Sequence, residues 1–444
     1  MAHFWQGSFW QGSFFQGLRS GEWLTVARAR GYSLILLAIC SLAVAGWIAL
    51  SDGLIDRNGK PIGTDFASFY AAGSLVLDGR AGDIYNMAAH YAREQQIFGA
   101  ATPYYGWLYP PIFLLVATPL ALMPYLLALA VWQISTFALY LFVIGIIVWR
   151  MSARGIVIGR IWLPIAAGFP AVFINLGHGQ NALLTAGLFG AALLALPTRP
   201  VVSGVLFGLL AYKPQLALVM PVALVAAGQW RTVVATAITV MALVGITSLV
   251  FGADLWLAFA ASTETSRKLL LEQGDVGFEK LQSVFAAVRM WGGGVPLAYA
   301  VQGVASAAVV CGTAWAWRSA CGRDLKAALL VIATLLASPH VLDYDLVILA
   351  LAIAFAVSAG FAGGFRDYEI SLLAAAWIVP LLSRGIAGVM GIPLGLLVLL
   401  AFYVFTLRCA VLDRRNAANS GGDRIATSSR MRLSTVSRKR DPIC

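Results

Sequence analysis

Apolar runs recur about a dozen times between residues 32 and 408, separated by short basic loops and two longer polar segments. A bilayer core about 30 Å thick accepts helices of about 20 apolar residues and penalises any unpaired backbone polar group. A chain patterned this way must fold as a bundle of membrane helices. Composition agrees: 60% of the 444 residues are hydrophobic and 11% are charged, against roughly 45–50% and 25% in soluble domains.

The formal net charge of +11 would suit nucleic acid, but the basic residues sit in short loops and in the stretch from Arg414 to Arg440. Lys and Arg so placed orient a chain in the membrane. Cys40, Cys311 and Cys409 lie in apolar runs, Cys321 in a basic loop and Cys444 at the end. That scatter builds neither a disulfide framework nor a metal site, and the reading includes no metal and no cofactor. Residues 1–31 open with a Phe-Trp-Gln-Gly repeat, read as a disordered cytoplasmic arm that seeks the interface. The first apolar run is longer than a signal-peptide core of about 7–15 residues and reads as a signal anchor.

Counting runs and loop charges predicts an all-α domain over 32–408 with about twelve spans and both termini in the cytoplasm. A first outer loop covers 51–125 and a second covers 252–295, while 409–444 reads as a disordered basic tail. Within the first loop, 65–78 and 83–98 read as surface helices with Asp65 and Asp83 at their N-caps. The proline-rich stretch 110–124 reads as a re-entrant or interfacial helix.

This topology gathers the polar interruptions at one face: Asp65, the turn His178-Gly179-Gln180-Asn181, Lys213, and the run from His340 to Asp345. Lys213 is thirteen residues beyond Pro200, roughly 20 Å along a helix and so still at bilayer depth. An ionisable group there is a functional-site hypothesis by default, with snorkelling to the headgroups as the plain alternative. Asp65 reads either as a helix cap or as a general base for a sugar hydroxyl. His340 and Asp343 are three apart and can share a helical face, so a carboxylate-held histidine can donate to a phosphate; otherwise they are a cap and a loop residue. The turn at 178–181 offers donors to hydroxyls or an anion, or is a tight interhelical turn. Tyr104, Tyr105, Trp107 and Tyr109 read first as an interfacial aromatic belt, and second as a stacking surface for sugar.

The ordered set Asp65-Phe66-x-x-Phe69-Tyr70-x-Ala72-Gly73, Gly79, Tyr85, Tyr109-Pro110-Pro111-x-Phe113, Pro119 to Tyr125, Trp132, Gly179-Gln180-x-x-Leu183-Leu184, Lys213-Pro214-Gln215, Ser338-Pro339-His340 and Tyr344-Asp345 resembles glycosyltransferase family 87. The resemblance runs from about residue 60 to 350. It implies a GT-C membrane fold and a polyprenyl-phosphate-mannose-dependent α-mannosyltransferase of the bacterial cytoplasmic membrane. The implied reaction is an inverting transfer of a hexose to a lipid-linked or glycan acceptor at the outer, periplasmic face. Asp65 would be the base, Lys213 and His340 would hold the donor phosphate, and Tyr70, His178, Gln180, Asn181, Tyr344 and Asp345 would position substrate. The aromatic repeat and the basic tail lie outside the family pattern.

Two other classes fit a polytopic chain. A twelve-span secondary transporter predicts an internal repeat and binding residues at the midplane; the chain shows no such repeat, and its polar sites gather at one face. A lipid-linked glycan ligase or polymerase would rely on arginines in a large outer loop, where Arg267, Lys268 and Arg289 stand.

Overall fold

A computed structural model describes residues 7–155, 158–216 and 218–437, with side chains over 14–155, 158–216, 218–269 and 271–416. Residues 1–6 of the aromatic repeat and 438–444 of the basic tail lie outside the described residues. The described chain is helical, with three isolated bridges and no strand.

Among the described residues, seven helices are long and apolar enough to cross a membrane: Val26–Ala49, Tyr125–Ser152, Trp230–Phe251, Val295–Arg318, Asp343–Gly363, Glu369–Met390 and Leu394–Asn416. An eighth crossing forms if Gly159–Ala167 and Pro170–His178 are one span bent by 44°. The bend falls at Gly168-Phe169, just before a proline that has no N–H to continue the ladder. The remaining expected spans correspond to shorter helices, Ala182–Ala195, Pro200–Tyr212, Pro214–Ala226 and Arg323–Ala337. Fourteen helical residues reach only about 21 Å, less than the hydrocarbon thickness of about 30 Å, so these elements cannot each cross alone. Arg323–Ala337 is buried at Leu325 and at every residue from Ala327 to Ala337. A helix apolar all round belongs inside a bundle, and this one is packed among Val295–Arg318, the helix beginning at Leu349, and the last helix.

Pro200–Leu209 is seated against Trp230–Phe251 through Gly204 and Gly208. A Cβ on Gly204 would stand 2.5 Å from Ala235 Cβ, and one on Gly208 2.5 Å from Thr239 Cβ. This is the small-xxx-small contact that lets membrane helices approach closely, and Thr236 adds a hydroxyl bond to the Gly204 carbonyl at 3.1 Å. The docked helix carries Lys213 at its end.

The first long loop folds onto the bundle. Thr64–Leu77 lies against the short helix Leu114–Leu120, where a Cβ on Gly73 would meet the Ala117 carbonyl oxygen at 2.3 Å. The 110–124 stretch forms a 3-10 turn, Pro111–Phe113, and a short helix, Leu114–Leu120, that its prolines keep short. Met87–Phe98 is capped by Asn86, whose side chain accepts from the N–H groups of Ala88 and Ala89; Asp83, the expected cap, instead pairs with Arg80 at 2.7 Å. The expected aromatic belt is only half a belt. Trp107 and Tyr109 are buried, and both ring edges meet Phe69 together with Phe113 and Trp132, at centroid distances of 4.9–6.3 Å.

At the N-terminal end Gly7–Ser20 is helical, and its last turn and the turn after it are bound around the start of Glu369–Met390: Arg19 pairs with Asp367 at 2.7 Å and Trp23 Nε1 donates to Ser371 Oγ at 2.7 Å. At the other end the last helix runs Leu394–Ser437, a stretch that no proline interrupts.

Candidate active site

Asp65 stands in the first turn of Thr64–Leu77, but Gly63 is the N-cap residue and the Asp65 carboxylate does not cap. Its Oδ2 accepts from Gln180 Nε2 at 2.8 Å. Its Oδ1 has looser neighbours, Thr64 Oγ1 at 3.4 Å and His178 Nδ1 at 3.8 Å. Thr64 Oγ1 is itself 2.7 Å from His178 Nδ1. The carboxylate side chain is 26% exposed, so a substrate hydroxyl can reach it.

Two glycines in the left-handed region make this approach possible: Gly63 (φ 77°) before the Asp65 helix and Gly179 (φ 64°), which ends Pro170–His178. An added Cβ on Gly179 would lie 2.6 Å from Phe66 Cβ. The turn then delivers Gln180, whose Oε1 accepts from the Tyr109 hydroxyl at 2.9 Å and from the Asn181 N–H at 2.7 Å. Tyr109 is held for this by Pro110 and Pro111, since a residue before proline is pushed toward extended backbone.

Lys213 lies at the break between two 3-10 turns, Leu210–Tyr212 and Pro214–Leu216. The backbone break here is enclosed in protein and borders a cavity, the two settings in which irregular backbone within a membrane protein survives. The side chain is 3% exposed and its Nζ is 2.5 Å from Asp345 Oδ1. The anionic partner of this lysine is a carboxylate of the same chain, where depth in the bilayer suggests a lipid phosphate. Two opposite charges marooned in apolar runs were the available signal, because buried ions persist when paired. The ammonium also stands 5.6 Å from the centre of the Tyr344 ring. An ammonium has three donors, so two remain beyond the Asp345 bond.

Lys213 also lines a cavity of about 430 Å³. Its lining includes Tyr109, Tyr212, Lys213, His340, Tyr344 and Asp345, together with Phe259, Ser262, Thr263, Glu264 and Arg267 of Asp254–Arg267. The second long loop is stitched to the His340 loop by the Leu281–Leu342 bridge and by Gln282 N–H donating to the Val341 carbonyl at 2.8 Å. The same helix meets the first loop where Phe259 packs on Tyr85, centroids 5.8 Å apart.

His340 does not pair with Asp343 among the described residues. The segment 339–342 is not helical, so the three-residue spacing puts the two on no common face, and Asp343 accepts from the Tyr344 N–H at 2.9 Å. Burial pushes the His340 imidazole down to about 4, so it is a neutral donor and acceptor at pH 7. Tyr70 faces away from the site, its hydroxyl donating to the Met123 carbonyl at 2.9 Å. The Asn181 side chain is fully enclosed. His178 is half-buried and its ring packs on Tyr344 at 5.8 Å.

Asp65 therefore does not line the Lys213 cavity. It adjoins it through two links, Gln180–Tyr109 and His178–Tyr344. The first loop also holds a pair with no signal in the sequence beyond its i, i+4 spacing, His90 and Glu94, both fully buried with Nε2 and Oε1 3.5 Å apart. Burial raises the Glu94 carboxyl, while His90 and the Tyr105 N–H pull it the other way.

The sequence model of glycosyltransferase family 87 matches residues 107–339, just over half of the chain. The matched span contains Tyr109, His178, Gln180 and Lys213; Asp65 and His340 fall outside it. No curated protein and no solved structure matches the chain. With its apolar helices, buried lysine and family match, the chain is a multi-pass membrane glycosyltransferase that belongs to glycosyltransferase family 87.

Proposed function

We propose that the protein is an inverting GT-C-type hexosyltransferase. In this reading it moves a sugar, mannose by family resemblance, from a polyprenyl phosphate to a lipid-linked or glycan acceptor at the outer face of the bacterial cytoplasmic membrane. The observation that carries the reading is the pair of adjoining compartments: an accessible carboxylate on one side, and a buried ammonium with a neutral imidazole on the other. The acceptor hydroxyl oxygen attacks the anomeric carbon, and its proton passes to Asp65. The bond from that carbon to the phosphate oxygen breaks, and the polyprenyl phosphate departs with the electron pair. Lys213 offers two N–H donors to the developing charge and His340 one, and donors fixed in a dry site are worth most at such a charge. Asp345 holds the ammonium in place. Tyr344, between His178 and Lys213, borders both compartments. The hydroxyl-bearing face of Asp254–Arg267, with Ser262 and Thr263, suits the acceptor glycan.

The test uses full-length protein in lipid nanodiscs with radiolabelled polyprenyl-phosphate-mannose and lipid-linked glycans from the host. Wild type transfers label, and Asp65→Asn transfers about 10²–10⁴-fold less. Absence of transfer by wild type with the mannose, glucose and arabinose donors alike would rule out the reading. Equal transfer by both proteins would remove Asp65 as the base.

A further inference from the structure

We propose that Gln180 is a positioning residue for Asp65 and that Tyr109, on the cavity wall, locks it in that role. The inference rests on reading Asp65 as the general base, and it departs from the expectation that Gln180 binds substrate. The argument is one of donors and acceptors. An amide side chain has one oxygen with two lone pairs and one nitrogen with two hydrogens. Gln180 Oε1 accepts from the Asn181 N–H, which can only donate, and from the Tyr109 hydroxyl. Rotating the amide by half a turn would set its NH₂ against the Asn181 N–H and its oxygen against the Asp65 carboxylate. The orientation is therefore fixed, and Nε2 must donate to Asp65 Oδ2. Gln180 is 4% exposed, which leaves little of it for a substrate to touch.

The consequence is an asymmetric carboxylate. Oδ2 is held by a single charge-assisted bond from an immobilised donor, whereas Oδ1 has only its looser contacts with Thr64 and His178. Oδ1 is then the oxygen left to take a proton. Tyr109 makes the arrangement sensitive to the neighbouring compartment, because the same residue lines the Lys213 cavity and orients Gln180.

Gln180→Glu separates this role from a merely structural one. Its Oε1 still accepts from Tyr109 and Asn181, but the donor to Asp65 becomes a second carboxylate oxygen. In nanodiscs we expect kcat to fall at least 30-fold with donor KM within about twofold of wild type, and the melting temperature to drop, because a second carboxyl is now enclosed beside Asp65. Tyr109→Phe, which removes one of the two locks, lowers kcat about 3–10-fold with the same KM. In an Asp65→Asn background neither change costs more than a further twofold, because the three residues act as a unit. Full additivity in that background, or a rise in KM with kcat unchanged, overturns the proposal. If Gln180→Glu fails to fold, the Tyr109→Phe cycle decides alone. A second arm needs no turnover: dicyclohexylcarbodiimide attacks protonated carboxyls, and its adduct on the Asp65 peptide, read by mass spectrometry, forms several-fold faster in both variants than in wild type. Equal labelling rates overturn the inference. Should wild type transfer no sugar from any polyprenyl phosphate, the functional reading fails, while the labelling arm still decides whether Gln180 holds Asp65.

Discussion

Lys213 shows how one residue can carry two energetic roles. Replacing it with alanine leaves Asp345 buried and unpaired, a change that costs about 3–5 kcal/mol, so the variant is expected to melt well below wild type in detergent. Lys213→Met combined with Asp345→Leu should regain most of that stability, since swapping a buried pair for apolar groups of similar volume is often neutral or better. Transfer activity stays lost in the double variant, and a thermal scan beside a transfer assay distinguishes the roles. His340 gives a pH prediction with a definite sign. Burial sets its imidazole at about 4 in the folded protein against 6.5 unfolded. Between these values the unfolded chain binds more protons, so this residue's contribution to stability is lost as pH falls from about 6.5 toward 4, by about 1.5 kcal/mol over the first one and a half units. Glu94, raised by burial, works in the opposite sense. Comparing melting temperatures of wild type and His340→Gln at pH 6.5 and pH 5 isolates the histidine: the variant's melting temperature should fall less.

At the scale of elements, the site depends on two close approaches that only glycine permits. Gly179 combines a φ of 64° with an added-Cβ distance of 2.6 Å to Phe66. Gly179→Ala must therefore strain the turn and push Gln180 away from Asp65. We expect kcat to drop at least tenfold and the melting temperature to fall by several degrees, in contrast with Gly177→Ala, where an added Cβ meets nothing within 4 Å. Gly204 and Gly208 do the same for the helix that presents Lys213. Leucine at either should unseat Pro200–Leu209 from Trp230–Phe251, and the loss is measurable as a lower melting temperature together with lost transfer. A leucine at exposed Val201 on the same helix is the control. Capping also differed from the simplest reading: an aspartate at a helix start is a common cap, yet Asn86 displaces Asp83, and Gly63 leaves the Asp65 carboxylate free for Gln180.

For the whole molecule, the loop charges predict opposite sides for the Arg366 turn and the Asp254–Arg267 helix. Ser262→Cys should react with a membrane-impermeant maleimide in intact cells, and Arg366→Cys only after lysis; the reverse pattern would invert the topology and move the site to the cytoplasm. The short helices have a related consequence: elements of about 21 Å end inside the protein, and the backbone breaks at their ends give Lys213 and Gln180 polar neighbours among enclosed side chains.

What the sequence determined by itself is the solvent of the fold and the identity of its polar interruptions. Apolar runs and loop charges are local quantities, and the bilayer acts on them segment by segment. The helices at 125–152, 230–251 and 295–318 could therefore be read directly, as could the shortness of the helix within 110–124. Asp65, Gln180, Lys213 and Asp345 stood out for the same reason. Their partners did not. Whether Lys213 meets a carboxylate, Gln180 faces a base, or Tyr109 lies inside instead of in a belt depends on contacts between segments 71 to 132 residues apart. Those pairings are set by which helices pack, at which glycines and to what depth. Local sequence cannot specify them, because the free energy that selects them comes from burying both partners together.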